Sequence, residues 1–419
     1  MKTTVNGNMV IRGNLMGYWT PTIPVPNPSG TWTFNKEFQA TGISTDYSFG
    51  FSSTIHESYM AISANQKNTS TGAVYIFKKN EGGENNWGQI KELNGSTTNI
   101  DFGYSVSISN DFLAIGSNNN DTGGNNRGAV YVHAKDEGGS DNWGETQVLT
   151  ADDAADNDQF GTSVGLSGNY IISGAPYDDD NGTSSGSAYI FFYNGSTWSQ
   201  QAKIIGSTIT NDDQFGISCA IDGDYAVVGA KYHDGSETES GVAYVFKRSG
   251  VNWNQIKILQ PNTEKESAFF GSSVSISGEY IVVGAEFYNT GQSYAGSAFI
   301  FKRNEGGADN WGQIAQLIPN DIGGATSGNF GASISIQGEN VIVGSSFDND
   351  GGSNTGAVFL YNKYENGTDN WGEIGKINDP DITAGGYNGH SVALYYDTAV
   401  SGSPFLTSNT GTAYLIRNI

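Results

Sequence analysis

The feature that most constrains this chain is a Phe-Gly pair that recurs every 53 to 60 residues. The copies are Phe49-Gly50, Phe102-Gly103, Phe160-Gly161, Phe215-Gly216, Phe270-Gly271, Phe330-Gly331 and a degenerate seventh, Asn388-Gly389. A triplet similar to Gly-Ala-Pro begins 13 residues after each glycine, at Ser63, Gly116, Gly174, Gly229, Gly284, Gly344 and Gly402. Because this spacing never changes, both marks are expected on one hairpin of fixed length. Such a period is typical of repeated four-stranded units.

Each repeat carries two further marks, a segment that opens with glycine and a later tryptophan. The glycines are Gly72, Gly128, Gly186, Gly241, Gly296, Gly356 and Gly411. The tryptophans are Trp87, Trp143, Trp198, Trp253, Trp311 and Trp371. Apolar and polar residues alternate after the tryptophans, as in WGQIKEL, which is typical of strands with one buried face. No window shows the apolar period of a helix, so the sequence predicts an all-β chain.

The seventh repeat lacks its tryptophan, and this omission decides the predicted topology. That repeat ends at Ile419 on its third strand, whereas an unmatched strand around Trp32 precedes the first Phe-Gly pair. If this amino-terminal strand completes the last repeat, seven four-stranded sheets close into a ring with only short, protected edges. The sequence therefore predicts a seven-bladed β-propeller over residues 30–419. The glycine that begins most triplets is expected to permit a tight turn.

These marks and their fixed spacing resemble the FG-GAP repeats of seven-bladed propellers in integrin alpha subunits and many bacterial surface proteins. The resemblance covers residues 30–419 and implies binding and adhesion more than catalysis. In integrins the loop between the first and second strands carries an aspartate-rich calcium motif. Here that loop is a short turn, as in the segments that start at Ser167, Asp222 and Ser277. The family's calcium sites are therefore not transferred to this chain, which is closer to the calcium-free variants.

The charge balance limits the partners of the chain. It contains 20 Lys and Arg against 43 Asp and Glu, a net charge of -23, which opposes binding to nucleic acid and to anionic membrane surfaces. No stretch of 18 apolar residues occurs, so we expect no direct membrane insertion. The amino-terminal residues lack the continuous apolar core of a secretory signal. The single Cys219 is expected to be buried on an inner strand rather than reactive.

Residues 1–29 differ from the repeats and are expected to form a separate arm. The pair Gly7-Asn8 recurs as Gly13-Asn14, which is similar to short β-helical coils at the base of viral and bacterial fibres. The alternative is that this segment is a flexible polar tail. A semi-rigid linker is indicated by Pro21, Pro24, Pro26 and Pro28. We expect the arm to attach the propeller to other subunits of a larger assembly or to oligomerise, in an extracellular or particle-associated location such as a virion or injection particle.

Acidic residues are concentrated in the loops that enter the first strand or leave the second strand of a repeat. Two clusters there supply candidate calcium ligands, namely Asp178, Asp180, Asp348 and Asp350. Calcium binds several carboxylate and carbonyl oxygens on flexible loops. The alternative is that Asp, Asn and Gly suit turn conformations. We favour turn chemistry and expect no required cofactor, with calcium as the one candidate ion.

Four aromatic residues follow their triplets closely and are expected to be exposed on these loops. They are Tyr177, Tyr232, Tyr288 and Phe347. Exposed rings supported by a rigid scaffold are candidate platforms for a glycan, since loops on such scaffolds are frequent binding sites. The alternative is that each ring packs on its own loop.

Catalysis finds little support in the sequence. The four histidines, His56, His133, His233 and His390, fall at non-equivalent positions of different repeats, which gives neither a metal cluster nor a base beside a nucleophile. We therefore predict a non-enzymatic recognition or adhesion module for a cell-surface glycan or protein, displayed on a larger assembly as a receptor-binding fibre or spike. The alternatives are a structural decoration or spacer of that assembly and a lectin-like secreted protein. An enzyme is the least favoured class.

Overall fold

A computed structural model describes residues 31–40, 42, 47–96, 100–291, 295–321, 328–365, 367, 369–378, 384–406 and 410–419. Within these ranges the chain forms 28 strands in seven sheets, each of four antiparallel strands. The predictions of an all-β chain and of seven blades are confirmed. The predicted arm, residues 1–29, lies outside the described residues.

The blades follow one another along the chain, and each holds four consecutive strands except the last. Blade 1 contains β2 (Phe49–His56), β3 (Tyr59–Ala64), β4 (Ala73–Lys79) and β5 (Trp87–Asn94). Blade 2 contains β6 (Ser105–Ile108), β7 (Phe112–Ser117), β8 (Ala129–Ala134) and β9 (Gly144–Leu149). Blade 3 contains β10 (Ser163–Ser167), β11 (Tyr170–Ala175), β12 (Ser187–Tyr193) and β13 (Trp198–Ile204). A short turn with left-handed backbone angles at Asn68 and Thr69 precedes β4.

The remaining blades repeat this order. Blade 4 contains β14 (Ser218–Asp222), β15 (Tyr225–Ala230), β16 (Val242–Ser249) and β17 (Asn252–Leu259). Blade 5 contains β18 (Phe270–Ser277), β19 (Tyr280–Ala285), β20 (Ser297–Lys302) and β21 (Gly312–Leu317). Blade 6 contains β22 (Ser333–Gln337), β23 (Asn340–Ser345), β24 (Ala357–Asn362) and β25 (Gly372–Ile377). Blade 7 contains β26 (Ser391–Tyr395), β27 (Thr398–Ser403), β28 (Thr412–Asn418) and β1 (Trp32–Phe38).

The amino-terminal strand closes the ring as the sequence predicts. β1 pairs antiparallel with β28, with Trp32 opposite Asn418 and Phe38 opposite Ala413. Blade 7 therefore reads β26-β27-β28-β1 from the axis outward. Lys36 Nζ extends the contact into blade 1, where it donates to Asn86 Oδ1 at 2.7 Å and to Trp87 O at 2.8 Å. Both chain segments of blade 7 are thus fixed to each other and to the next blade.

The first strands of all seven blades form the inner wall of the ring. Each contacts the first strand of the next blade, from β2 through β6, β10, β14, β18 and β22 to β26 and back to β2. The antiparallel order gives the ring two faces. We call the face at which the first strands begin the loop face, because the longer loops after the second strands also lie there. The opposite face, with the short turns after the first strands, is the turn face.

Neighbouring blades are joined through the backbone of the Phe-Gly pair, as the junction of blades 4 and 5 shows. Phe270 forms a parallel bridge with Gly241, and Phe270 N donates to Ser240 O at 3.0 Å. The Phe270 ring is fully buried in the core between blades 4 and 5. The same bridge is present in the pairs Phe49 and Gly411, Gly72 and Phe102, Gly128 and Phe160, Gly296 and Phe330, and Gly356 and Asn388. At the remaining copy Phe215 N donates to Ser185 O at 2.9 Å, so the pair recurs because each copy links one blade to the blade before it.

The triplet glycine makes a second close approach between blades. The carbonyl oxygen of Gly271 lies 2.0 Å from the position that a Cβ on Gly229 would take, and Ser218 Oγ donates to the same oxygen at 2.8 Å. The expected tight turn at this glycine is wrong, because Gly229 lies inside β15, paired with Ser218. Glycine is needed there because the backbone of the next blade leaves no room for a side chain. Equivalent serine bonds join Ser105 to Gly161, Ser163 to Gly216, Ser273 to Gly331, Ser333 to Gly389 and Ser391 to Gly50.

The loop before the tryptophan clamps blades together on the turn face. Tyr225 OH and Lys247 Nζ of blade 4 donate to the two carboxylate oxygens of Asp309 in blade 5, each at 2.7 Å. The Tyr225 ring also meets Trp311 edge-on, with ring centroids 5.5 Å apart. The same three-residue clamp consists of Tyr59, Lys78 and Asp141, and of Tyr280, Lys302 and Asp369. The repeated loop sequence thus stabilises the ring.

Two further expectations from the sequence concern burial. Cys219 is buried on β14, as predicted, and burial raises the pKa of its thiol to about 12. No helix in the described part of the chain is long and apolar enough to cross a bilayer.

Candidate functional site

Seven residues meet at the centre of the loop face, one from each blade. Each directly follows the glycine of its Phe-Gly pair and lies at or near the start of the inner strand. They are Phe51, Tyr104, Thr162, Ile217, Ser272, Ala332 and His390. Together with residues of the adjoining loops they line a cavity of about 770 Å³, which we call the axial pocket. Its volume falls within the range of about 300–1,000 Å³ that is usual for small-ligand sites.

The axial pocket is asymmetric although the backbone around it repeats. Blades 7, 1 and 2 contribute large rings at the shared position, namely His390, Phe51 and Tyr104. Blades 5 and 6 contribute Ser272 and Ala332 at the same position. Side-chain size therefore decides where the space lies, because equivalent backbone positions carry an aromatic ring on one side and a small residue on the other. The result is a pocket with an aromatic wall.

The aromatic wall is continuous. Ring centroids are 5.3 Å apart for Phe51 and Tyr104 and 4.9 Å apart for Phe51 and His390. The chain of contacts continues from His390 to Phe405 at 5.7 Å, from Phe405 to Tyr387 at 5.4 Å and from Tyr387 to Phe347 at 5.4 Å. We call these six residues the aromatic arc. Tilted and edge-on geometry of this kind stabilises ring pairs, so the arc is a preformed apolar surface.

The histidine of the arc is held as a neutral ring. His390 Nδ1 lies 3.2 Å from the carbonyl oxygen of Phe51 and therefore donates to it. Burial lowers the pKa of His390, although the bond to Phe51 opposes this effect. The imidazole is thus uncharged at neutral pH, with Nε2 as a hydrogen-bond acceptor.

An ion pair lies on the other side of the axial pocket. Lys231 Nζ is 3.7 Å from Glu286 Oε1, and both residues line the cavity. Lys231 also lies over the rings of Tyr232 and Phe269, at 5.0 and 5.8 Å from their centroids. Burial raises the pKa of Glu286, although Lys231 acts in the opposite direction. The pocket therefore faces a ligand with an aromatic wall on one side and a paired ammonium and carboxylate on the other.

The four predicted aromatic candidates differ in placement. Phe347 belongs to the aromatic arc. Tyr177 is 36% exposed and lies near Tyr104. Burial raises the pKa of Tyr104, and the neighbouring Tyr177 phenol raises it further. Tyr232 is half-buried and packs edge-on against Phe269. The expected exposure of Tyr288 is wrong, because only 5% of it is accessible and its hydroxyl donates to Thr263 O at 2.8 Å.

The error at Tyr288 is one of register. Tyr177, Tyr232 and Phe347 lie three residues after the glycine of their triplets, whereas Tyr288 lies four residues after Gly284. The equivalent residue in blade 5 is Phe287, and Phe405 is the equivalent in blade 7. Counting from each triplet would have found Phe405. Counting one residue past each Phe-Gly pair would likewise have found the ring of seven that lines the axial pocket.

The candidate calcium ligands of blade 3 surround a lysine. Lys203 Nζ lies 2.8 Å from Asp153 Oδ2 and 2.9 Å from Asp178 Oδ2, and it also pairs with Asp180. Asp178 is buried and accepts a further bond from Tyr189 OH at 2.6 Å. One oxygen from each of the three carboxylates lies within 4.8 Å of the others. The ammonium group of Lys203 therefore occupies the place between the three carboxylates that a metal ion would need.

The same arrangement recurs in blade 6 and is reversed in blade 1. Lys376 Nζ lies 2.8 Å from Asp348 Oδ2 and also pairs with Asp350. Blade 1 has Lys67 in the place of Asp348, four residues after the start of its triplet, and Glu92 in the place of Lys376. These two residues form an ion pair with exchanged charges. The exchange indicates that, where this position carries a charge, the fourth strand of the blade supplies the opposite charge.

The titration of these groups follows from their contacts. Burial alone would lower the pKa of Lys203, but its hydrogen bonds to Asp153, Asp180 and Asp178 raise it overall. The hydrogen bond from Lys376 lowers the pKa of Asp350. Burial raises the pKa of Asp348, which has no exposed surface, even though Lys376 opposes the shift. Both lysines are therefore charged at neutral pH.

Replacing the central lysine of blade 3, Lys203, is expected to make the stability of the protein depend on calcium. In Lys203→Met the buried Asp178 loses its counterion, which should cost about 3 kcal/mol of unfolding free energy. Millimolar calcium should restore much of this loss because three carboxylates then share a cation. Thermal unfolding with and without a chelator measures both effects. The matched control is Lys79→Met, since no described carboxylate lies within 4.0 Å of Lys79. An equal response of wild type to calcium would show that the lysine does not replace the ion.

The four histidines make different contacts and lie apart in the described part of the chain. The Nδ1 atom of His56 meets Asn110 Oδ1 at 3.1 Å, and that of His133 meets Trp143 O at 3.1 Å. His233 Nε2 meets Thr208 Oγ1 at 2.9 Å. His390 bonds to a backbone carbonyl, so none of these four hydrogen bonds joins a histidine to a carboxylate. His233 and Thr208 are the one ring–hydroxyl pair among these bonds, but Nδ1 of His233 has no hydrogen-bond partner among the described residues, whereas a catalytic triad orients its histidine through a carboxylate at that nitrogen.

Comparison with known proteins agrees with the geometry of the repeats. The family model described as FG-GAP repeat matches five times, at residues 93–133, 143–191, 198–246, 253–301 and 311–361. These matches cover more than half of the chain, and each runs from the fourth strand of one blade to the third strand of the next. No curated protein matches the sequence. The chain therefore belongs to the FG-GAP repeat family, whose propellers are commonly protein-interaction modules and are typically not catalytic.

Proposed function

We propose that this protein is a non-enzymatic recognition module that binds a cell-surface glycan or protein through its loop face. The observation that carries the proposal is the axial pocket, to which every blade contributes one residue. A concave site with an aromatic wall and a few polar groups is the usual form of a ligand-binding site. The ring around it is held together by backbone bridges between neighbouring blades, and three of the junctions also carry a Tyr-Lys-Asp clamp.

We propose that recognition requires no cofactor. The carboxylates named as calcium ligands are already paired with Lys203 and Lys376, which supports turn chemistry and ion pairing over a bound cation. Calcium stays the candidate ion for these loops, and the Lys203→Met experiment tests it.

We propose that residues 1–29 attach the propeller to a larger extracellular or particle-borne assembly, of the receptor-binding fibre or spike type. The proline-rich composition of this segment supports a linker. The net charge of -23 supports a partner other than nucleic acid or an anionic membrane. A structural spacer of the same assembly is the second candidate, because the blade junctions alone suffice for such a role.

Binding of the labelled full chain to whole cells tests the proposal. We expect saturable binding that an excess of unlabelled chain abolishes. Treating the cells with glycosidases or with a protease shows which class of receptor is bound, since only removal of the receptor should abolish the signal. If no cell type shows saturable binding, the recognition function is refuted and the spacer function is favoured.

A further inference from the structure

The axial pocket has an apolar side and a polar side, and together they restrict the chemistry of its ligand. The aromatic arc offers an apolar surface made of six rings in contact. Opposite it lie the Lys231 and Glu286 pair and the small polar residues Thr162 and Ser272. A ligand that fills this space therefore needs one apolar face and several hydrogen-bonding groups on another.

The charges in and around the axial pocket further restrict which ligands can bind. A cationic ligand would meet the ammonium group of Lys231, and the only carboxylate lining the described pocket, Glu286, already pairs with it. An anionic ligand would approach a protein with a net charge of -23 across a face rich in exposed aspartates. A purely apolar ligand would bury the ion pair and the hydroxyl groups against carbon, which costs free energy. A neutral, polyhydroxylated ligand avoids all three penalties.

We infer that the axial pocket binds a neutral saccharide unit at the end of a glycan, an inference that rests on the proposed recognition function. A pyranose ring has an apolar face of C–H groups that packs on the aromatic arc. Its hydroxyl groups then reach Lys231 and Glu286, which together supply a donor and an acceptor. The cavity of about 770 Å³ is large enough for a short saccharide.

The repeated backbone supplies a variant that fills the pocket without removing a contact. Ala332 occupies the position at which blades 1 and 2 carry Phe51 and Tyr104. The backbone there accepts a ring, so Ala332→Tyr should fold while its side chain occupies the cavity. A second variant, Lys231→Met, keeps the length of the side chain but removes the donor. The matched control, Tyr364→Ala, removes a tyrosine that is 45% exposed on the turn face.

The test is a printed array of neutral, sialylated and sulfated glycans probed with the full-length chain and the three variants. Neutral glycans should bind, with apparent affinity at least about tenfold weaker in Ala332→Tyr and Lys231→Met and unchanged in Tyr364→Ala. Thermal unfolding confirms that each variant is folded. Preference for anionic glycans, or neutral binding that both pocket variants retain, overturns the inference.

The same variants separate this inference from the recognition function. If the chain binds cells saturably but no neutral glycan on the array, the recognition function stands and the saccharide inference fails. Cell binding that is sensitive to protease, and that Ala332→Tyr abolishes, would assign the pocket to a protein ligand and also overturn it. If neither cells nor glycans are bound, both fail together.

Discussion

Deleting residues 1–40 is expected to unfold the ring, whereas deleting residues 1–29 should leave its stability unchanged. The longer deletion removes β1, which buries Trp32 and Phe38 and covers the edge of β28. Loss of a buried tryptophan alone costs about 3–5 kcal/mol. The exposed β28 would also become an unpaired edge that invites aggregation. Thermal unfolding and size-exclusion chromatography of both truncations measure the effect.

The contrast between the two truncations is the control. β1 also ties blade 7 to blade 1 through Lys36, so its loss should lower the stability of the whole domain in one transition. Equal melting temperatures for the two truncations would contradict the closure of the ring by the amino-terminal strand.

Substituting Gly229 with alanine is expected to separate blades 4 and 5. The added Cβ would lie 2.0 Å from Gly271 O and 2.4 Å from Ser218 Oγ. Backbone of a neighbouring blade cannot yield as a side chain does, so we expect a loss of more than about 3 kcal/mol. Chemical denaturation measures it. The matched control is Gly375→Ala, because a Cβ on Gly375 of β25 would meet nothing within 4 Å.

Blade 1 shows how such a junction accommodates a side chain. Its triplet begins with Ser63, which is fully buried, and Ser52 N donates to Ser63 Oγ at 2.9 Å. Ser52 lies on β2, so the Ser63 hydroxyl bonds within its own blade. Blade 4 lacks this adaptation, so Gly229→Ala should not be tolerated. An unfolding free energy within about 0.5 kcal/mol of wild type would refute the close approach as the reason for the glycine.

The sequence predicts the architecture of this protein well because the constraints repeat in register. The spacing from Phe-Gly to triplet and the unmatched strand at Trp32 together predict seven blades and the closing pair of β1 and β28. The role of the triplet glycine could not be predicted in the same way. Its neighbour, Gly271, is 42 residues from Gly229 and belongs to another blade, so only the packed ring shows the contact.

The candidate site was predicted less completely, for two physical reasons. Burial is set by register, and one position separates the buried Tyr288 from its half-buried neighbour Phe287. The function of an aspartate depends on what faces it across the blade. Asp178 and Asp348 follow turn-like sequences, but their lysine partners come from fourth strands that only pairing places opposite them. The axial pocket requires all seven blades, so no single repeat contains its signal.

Masking each face of the ring in turn tests recognition through the loop face. Because Cys219 is buried with a raised thiol pKa, a cysteine introduced on the surface is the site that a polymer-bearing maleimide modifies. Tyr177→Cys carries the polymer beside the axial pocket, and Val251→Cys, at a residue 67% exposed, carries it on the turn face. Binding to cells that the full chain recognises should be lost in the first conjugate and kept in the second. Binding that survives masking at residue 177 but disappears on masking at residue 251 would contradict the account.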